Sequence, residues 1–212
     1  MNRHQSGFTL IELAVVLCIL ALLAGGLLMP LSAEVEQQKL RATREGLENI
    51  RQALLGHALL YGILPCPAST SDPASADYGV AVTSCSTAPS TEGYLPWKTL
   101  GTAETDAWDA PWRYRVDRNF AGAAISLSTN FSADALSVRD SSGNTLTTTT
   151  ERPVVIVYST GPNLHADGHN ASFESSGGIY QSDAASPAFD DLTLWLSRPQ
   201  LLERLVAAGR LP

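Results

Sequence analysis

The sequence predicts an α+β fold. A long N-terminal helix has an apolar half and an amphipathic half, the amphipathic half packs on a small antiparallel β-sheet, and a short helix closes the chain. Three observations predict this. Residues 8–31 are nearly all apolar, and Glu12 is their only charge. From Ser32 to Tyr61 apolar residues recur at helical spacing, with no strong breaker between Leu31 and Ala58. Beyond residue 101, short β-rich runs alternate with turn-rich stretches before a capping signature near the C-terminus.

As a helix, residues 8–31 would span about 36 Å, and a bilayer core of about 30 Å needs roughly 20 apolar residues. The segment is therefore long enough to cross a membrane. It is longer than a secretory apolar region of about 7–15 residues. A cleaved signal peptide or a plain signal anchor is the simple alternative, and Leu31-Ser32-Ala33 offers the former a small-residue cleavage site. Glu12 argues against that alternative. A carboxylate in lipid costs roughly 2.5–3.5 kcal/mol, somewhat less near the end of a span, so it calls for a positive partner. A cut after Gly7 would supply one, because Phe8 would carry a new α-amino group four residues from Glu12.

The run Ser6-Gly7-Phe8-Thr9-Leu10-Ile11-Glu12-Leu13 leading into an apolar helix resembles the class III signal of type IV pilins and type II secretion pseudopilins. The resemblance implies that prepilin peptidase cuts between Gly7 and Phe8 and methylates the amine of Phe8. It implies that Glu12 pairs with the N-terminus of a neighbouring subunit during assembly. Its other implied partners are further pilin or pseudopilin subunits, an inner-membrane assembly platform and membrane lipid. The expected location is the bacterial inner membrane, single-pass, with the C-terminal domain in the periplasm. The chain then divides into a leader at 1–7, a transmembrane and assembly helix at 8–31, its amphipathic continuation at 32–61, and a periplasmic domain at 62–212 with an irregular insertion at 65–101. One rule opposes this orientation. Arg3 and the amino terminus precede the span, whereas Lys39, Arg41, Arg44 and Arg51 follow it, and positive residues favour the cytoplasmic side. Long domains, however, translocate largely regardless of charge.

In the second half of the helix, Leu40, Leu47, Ile50, Leu54, Ala58 and Tyr61 form the apolar face, and His57 reads as packing or surface. Gly46 and Gly56 weaken the helix by about 1 kcal/mol each relative to Ala. Prolines at 65, 67, 73, 89 and 96, with ten Ser or Thr in residues 69–91, make the next segment irregular. Cys66 and Cys85 flank most of it, and in an exported protein they read as a disulfide; free thiols or a metal site are the alternatives. Cys18 has no partner in reach. Strands are expected at 112–116, 123–128, 154–159 and 192–196. Ser197 with Gln200 three residues later forms a capping box. Leu201, Leu202, Leu205 and Val206 make the apolar face of the last helix, and Gly209 ends it.

A second resemblance lies in this half. Asp106-Ala107-Trp108-Asp109-Ala110-Pro111-Trp112-Arg113-Tyr114 is similar to an Asp-Pro-Trp-Gly-x-Pro-Tyr-x-Tyr stretch of the major pseudopilin of type II secretion, with Asp109 where glycine is usual. Ser159-Thr160-Gly161, Ala166-Asp167-Gly168 and Asp190-Asp191 before Trp195 look like that family's C-terminal loop, which binds calcium. The resemblance implies calcium ligands at Asp167, Asp190 and Asp191. Carbonyls, Asn163, Ser or water would complete a shell of six to eight oxygens. The rival account has Phe173, Tyr180 and Phe189 pin the loop by packing while the acids stay solvated.

Other chemistry is less well supplied. His165, Asp167 and His169 would suit a transition metal only if one strand carried them, and the neighbouring glycines read as a loop. Trp97, Trp108 and Trp112, with Asp106 and Asp109, could form a sugar platform, but aromatics in such a domain are more often core. Arg113, Arg115 and Arg118 read as an outward face. The net charge of −7 and only two lysines, Lys39 and Lys98, argue against nucleic-acid binding. No hydrolase, zinc-protease or phosphate-loop motif is present in the sequence. The expectation is a structural, non-enzymatic filament subunit; the alternative is a signal-anchored periplasmic carbohydrate-binding protein or enzyme.

Overall fold

The computed structural model describes residues 9–86, 91–172 and 177–212. Helix α1 runs from Leu10 to Tyr61. The chain divides into two compact units with the boundary inside this helix, between Arg41 and Ala42. In the second unit Thr43, Leu47, Ile50, Leu54 and Ala58 are all buried, each three or four residues from the next. They form one stripe of the helix, as the period of 3.6 residues requires. The stripe is narrower than the sequence suggests: Tyr61 is exposed, with its ring 4.6 Å from that of His57. Gly46 has a packing role that propensity does not reveal, because a Cβ there would lie 3.0 Å from the Trp112 ring.

Four strands form an antiparallel sheet in the order β1-β2-β4-β6: β1 Glu92–Tyr94, β2 Arg113–Val116, β4 Pro153–Ser159 and β6 Leu192–Ser197. Trp112, Tyr114, Val116, Val155, Val157 and Leu196 share the core with the buried stripe of α1 and with Leu201, Leu202 and Leu205 of α4, Arg198–Ala207. The Ser197–Gln200 capping box is formed in full, and Gly209 has a φ of 68°. Val206 is exposed rather than part of the apolar face.

The opposite face of the sheet is covered as well. Strands β3, Ser137–Arg139, and β5, Ile179–Gln181, pair in parallel. Leu136, Val138 and Tyr180 from that layer pack with Ile156 and Tyr158 of β4. Every residue of β4 is therefore buried, which explains its continuous apolar run in place of alternation. Two short helices, α2 Trp97–Leu100 and α3 Arg118–Ala121, and a 3-10 turn at Gly168–Ser172 complete the fold.

The second layer corrects the reading of the arginines. Arg115 does not face outward: its side chain is 1% exposed, 3.4 Å from both Glu92 and Asp134. Arg118 also pairs with Asp134, and the Tyr180 hydroxyl donates to Glu92 at 2.8 Å. Arg113 is half-buried, with its guanidinium 4.5 Å from the centre of the Tyr94 ring. Burying such charges costs several kcal/mol per ion unless they are paired, which is why they occur together. Residues 123–128 are not a strand: Ile125 alone of the apolar residues there is buried, and its N–H bonds to Gly62 O.

The Cys66–Cys85 disulfide is formed. Segment 65–101 is less irregular than its prolines and hydroxyls suggest, since it ends in β1 and α2. Ala68 exchanges both backbone hydrogen bonds with Tyr94, at 2.9 and 3.0 Å.

Candidate functional site

The first site is the start of α1. Gly7 and Phe8, the expected cleavage and methylation positions, lie outside the described residues. Thr9 and Glu12 lie within them and form a reciprocal pair. The Glu12 N–H donates to Thr9 Oγ1 at 3.3 Å, and the Thr9 N–H donates to Glu12 Oε2 at 3.4 Å. This is a capping box, and its Thr-x-x-Glu signature is present in the sequence. The acid at this offset thus caps the helix of its own chain. Beyond it, Leu10, Ile11, Leu13, Val15, Val16, Leu17, Ile19, Leu20 and Leu22 are all exposed, Leu10 by 88%. Stripping water from such a surface is favourable at about 25 cal/mol per Å², so it calls for an apolar covering. Among the described residues no helix is long and apolar enough to cross a membrane.

The second site is the loop between β4 and β6. Carboxylate oxygens of Asp167, Asp190 and Asp191 all lie within 4.8 Å of one another. Backbone placement holds them there. Gly161 has a φ of 61°, and a Cβ on it would lie 2.4 Å from Asp190 O, so only glycine permits this approach. Asp190 N–H donates to Asp167 Oδ2, and Asp167 N–H donates to Asp191 Oδ2, both at 3.0 Å. Asn170 is buried and was not singled out in the sequence. Its Nδ2 donates to Asp191 Oδ2 at 2.9 Å, and its Oδ1 accepts from the Gln181 N–H at 2.8 Å. It fastens the acidic cluster to β5.

Burial pushes the Asp191 carboxyl up to about 7, and the neighbouring charges of Asp167 and Asp190 act in the same direction, against hydrogen bonds from Asp167 N–H and Asn170. Asp191 Oδ1 is buried without a hydrogen-bond partner among the described residues. An all-oxygen donor set, crowded enough to resist ionisation and with an unsatisfied oxygen, fits a hard divalent cation. Asn163 fits less well than expected. Its Oδ1 accepts from the His165 N–H at 2.7 Å, and its Nδ2 faces Asp167 at 3.1 Å. Among the described residues the close group of ligand atoms includes neither His165 nor His169, so the His-x-Asp-x-His reading is not assembled. The packing account also has support, since Tyr180 and Phe189 are buried; Phe173 lies outside the described residues.

The tryptophans form no platform. Trp112 is buried in the core and Trp97 packs edge-on to Tyr78, with ring centres 5.7 Å apart. Asp106 is buried and is occupied in a turn. It accepts from Trp108 N–H at 2.8 Å, Ala110 N–H at 3.0 Å and Ser159 Oγ at 2.5 Å. Asp109, standing where the similar stretch has glycine, has a φ of 64°. This is the left-handed region that favours glycine, and aspartate is among the residues that tolerate it.

A long N-terminal helix, a small antiparallel sheet and a short C-terminal helix are consistent with an α+β pilin-like fold. Residues 2–28 match the family described as the prokaryotic N-terminal methylation motif. This match, confined to the N-terminal segment, supports a type IV pilin-like or pseudopilin precursor. No curated protein and no solved structure matches the chain.

Proposed function

We propose that the chain is a structural subunit, pseudopilin or minor pilin, of a type II secretion or type IV pilus filament, and that it performs no catalysis. Prepilin peptidase cuts after Gly7 and methylates Phe8. The apolar segment at 8–31 holds the subunit in the inner membrane, with residues 32–212 in the periplasm. On assembly Glu12 leaves the Thr9 amide for the amine of a neighbouring subunit. The observation that carries this reading is the class III signal running directly into a helix whose apolar side chains are exposed on every side from Leu10 to Leu22. The test is the N-terminus of the mature protein. Methylated Phe8 is expected; Glu34 would indicate an ordinary signal peptide, and intact Met1 a plain anchor.

A second reading concerns calcium at Asp167, Asp190 and Asp191, and the convergence of their oxygens supports it. A cation bound to the folded state alone stabilises it by mass action. Millimolar calcium should therefore raise the Tm of a fragment starting near Ser32, and Asp190→Ala should remove the rise. An unchanged Tm with and without chelator would leave only the packing account.

A further inference from the structure

The two outer strands of the four-stranded sheet are treated differently. The free side of β1 is covered at Tyr94 by Ala68, and Gly93 permits the approach, since a Cβ there would lie 2.6 Å from Ala68 O. Strand β6 has no such cover among the described residues. Thr193, Leu194 and Trp195 instead line an open groove of about 400 Å³ whose other wall is Arg44, Leu47 and Arg51 of α1. An unpaired strand edge is a template for another strand, and proteins commonly blunt it with lysine, proline or a covering segment. β6 contains neither lysine nor proline.

The groove also has a sign. No carboxylate lines it, and both charged residues are arginines. Arg51 is steadied by Glu48 at 3.5 Å and Gln200 at 3.2 Å. Arg44 is exposed and has no partner among the described residues. Seven residues apart on one helix, the two guanidinium stems are about 10 Å apart, with Leu47 between them. On an added strand, same-face positions i and i+4 are about 13 Å apart, with i+2 between them.

We propose that the β6 edge docks an extended acidic segment of a partner protein, added as a fifth strand, with acid, apolar and acid side chains at alternate positions facing Arg44, Leu47 and Arg51. Main-chain hydrogen bonds to β6 would supply affinity, and the arginines would choose the sequence. The filament reading neither requires nor predicts this site.

The test uses the full chain in detergent micelles and the acetylated, amidated peptide Thr-Glu-Thr-Val-Thr-Glu-Thr, followed by calorimetry. Three results are expected together: at least about tenfold weaker binding of the Lys-for-Glu peptide, a similar loss with Arg44→Glu/Arg51→Glu at unchanged Tm, and loss of binding when alternate peptide nitrogens are methylated. Undiminished binding by the double variant overturns the proposal. So does indifference to N-methylation, which would mean charge adsorption without strand pairing, and so does the absence of binding at millimolar peptide. Self-association of the chain that the double variant abolishes would put a second copy in the groove and overturn the acidic-partner assignment.

Discussion

Asp106→Ala should be among the most damaging single substitutions outside the apolar core. The Asp106 carboxylate is buried and accepts from two backbone N–H groups and from Ser159 Oγ, which itself accepts from Gly161 N–H at 3.0 Å. One side chain thereby closes the 106–110 turn and ties it to the end of β4. Truncation leaves two backbone N–H groups, one of them buried, and the buried Ser159 hydroxyl without an acceptor. Each such orphan costs about 1–3 kcal/mol, and partial entry of water lowers the sum, so a loss of about 3–6 kcal/mol is expected. For a chain of this size that corresponds to a Tm lower by roughly 6–20 °C. Asp106→Asn separates hydrogen bonding from shape. The amide oxygen still serves the backbone donors, but its NH2 meets Ser159 Oγ and leaves the serine proton without an acceptor, a loss of about 1–2 kcal/mol. Urea unfolding of both variants, followed by tryptophan fluorescence, measures the difference. If Ala and Asn each cost under about 1 kcal/mol, the turn is held by packing and this hydrogen-bond argument fails.

Other outcomes follow from the same structure. Replacing both Cys66 and Cys85 by Ser should cost about 3 kcal/mol, because the closed loop of roughly 20 residues regains its freedom in the unfolded chain; equal Tm values with and without reductant would contradict this. Glu12→Ala should leave cleavage after Gly7 intact but impair incorporation into sheared filaments, and normal incorporation would refute the charge-pair role. In chelator, stability should fall as pH rises from about 4 to above 7. The Asp191 carboxyl, lifted from its usual 3.8 to about 7 by burial, holds its proton in the folded state through this window but not in the unfolded one. Asp191→Asn should flatten that profile, and a profile identical to wild type would remove the assignment.

The legible parts of the sequence were those with a local physical signature. The Gly7–Glu12 run, the apolar stripe of α1, the Ser197–Gln200 box and the paired cysteines each declare themselves within a few residues. Strands β1, β3 and β5 have three residues each, too few to show a period of two, so they went unread. Arg115 was misread for a non-local reason. Alternation in Trp112–Val116 correctly separates two faces, but nothing nearby announces that β3 and β5, contributed from residues 137–181, cover the second one. The Asp167–Asp190–Asp191 cluster was legible only through resemblance, and its anchor, Asn170, lies in a stretch without periodicity. Residues 123–128 have strand composition, but their backbone bonds to the end of α1 rather than to a neighbouring strand.

The cover that Ala68 lays over β1 has a consequence for polymerisation. Sheets that grow edge to edge need two compatible edges on every molecule, as in runaway fibre formation. Here the β1 edge is covered at Tyr94 by a segment anchored through the Cys66–Cys85 cross-link, so within the four-stranded sheet strand-on-strand contact between copies is left to β6 with β6. That contact is two-fold and self-terminating: it yields a pair and stops. If the chain enters a helical polymer through its N-terminal helix, as proposed, this arrangement opposes a second, competing polymer through the four-stranded sheet.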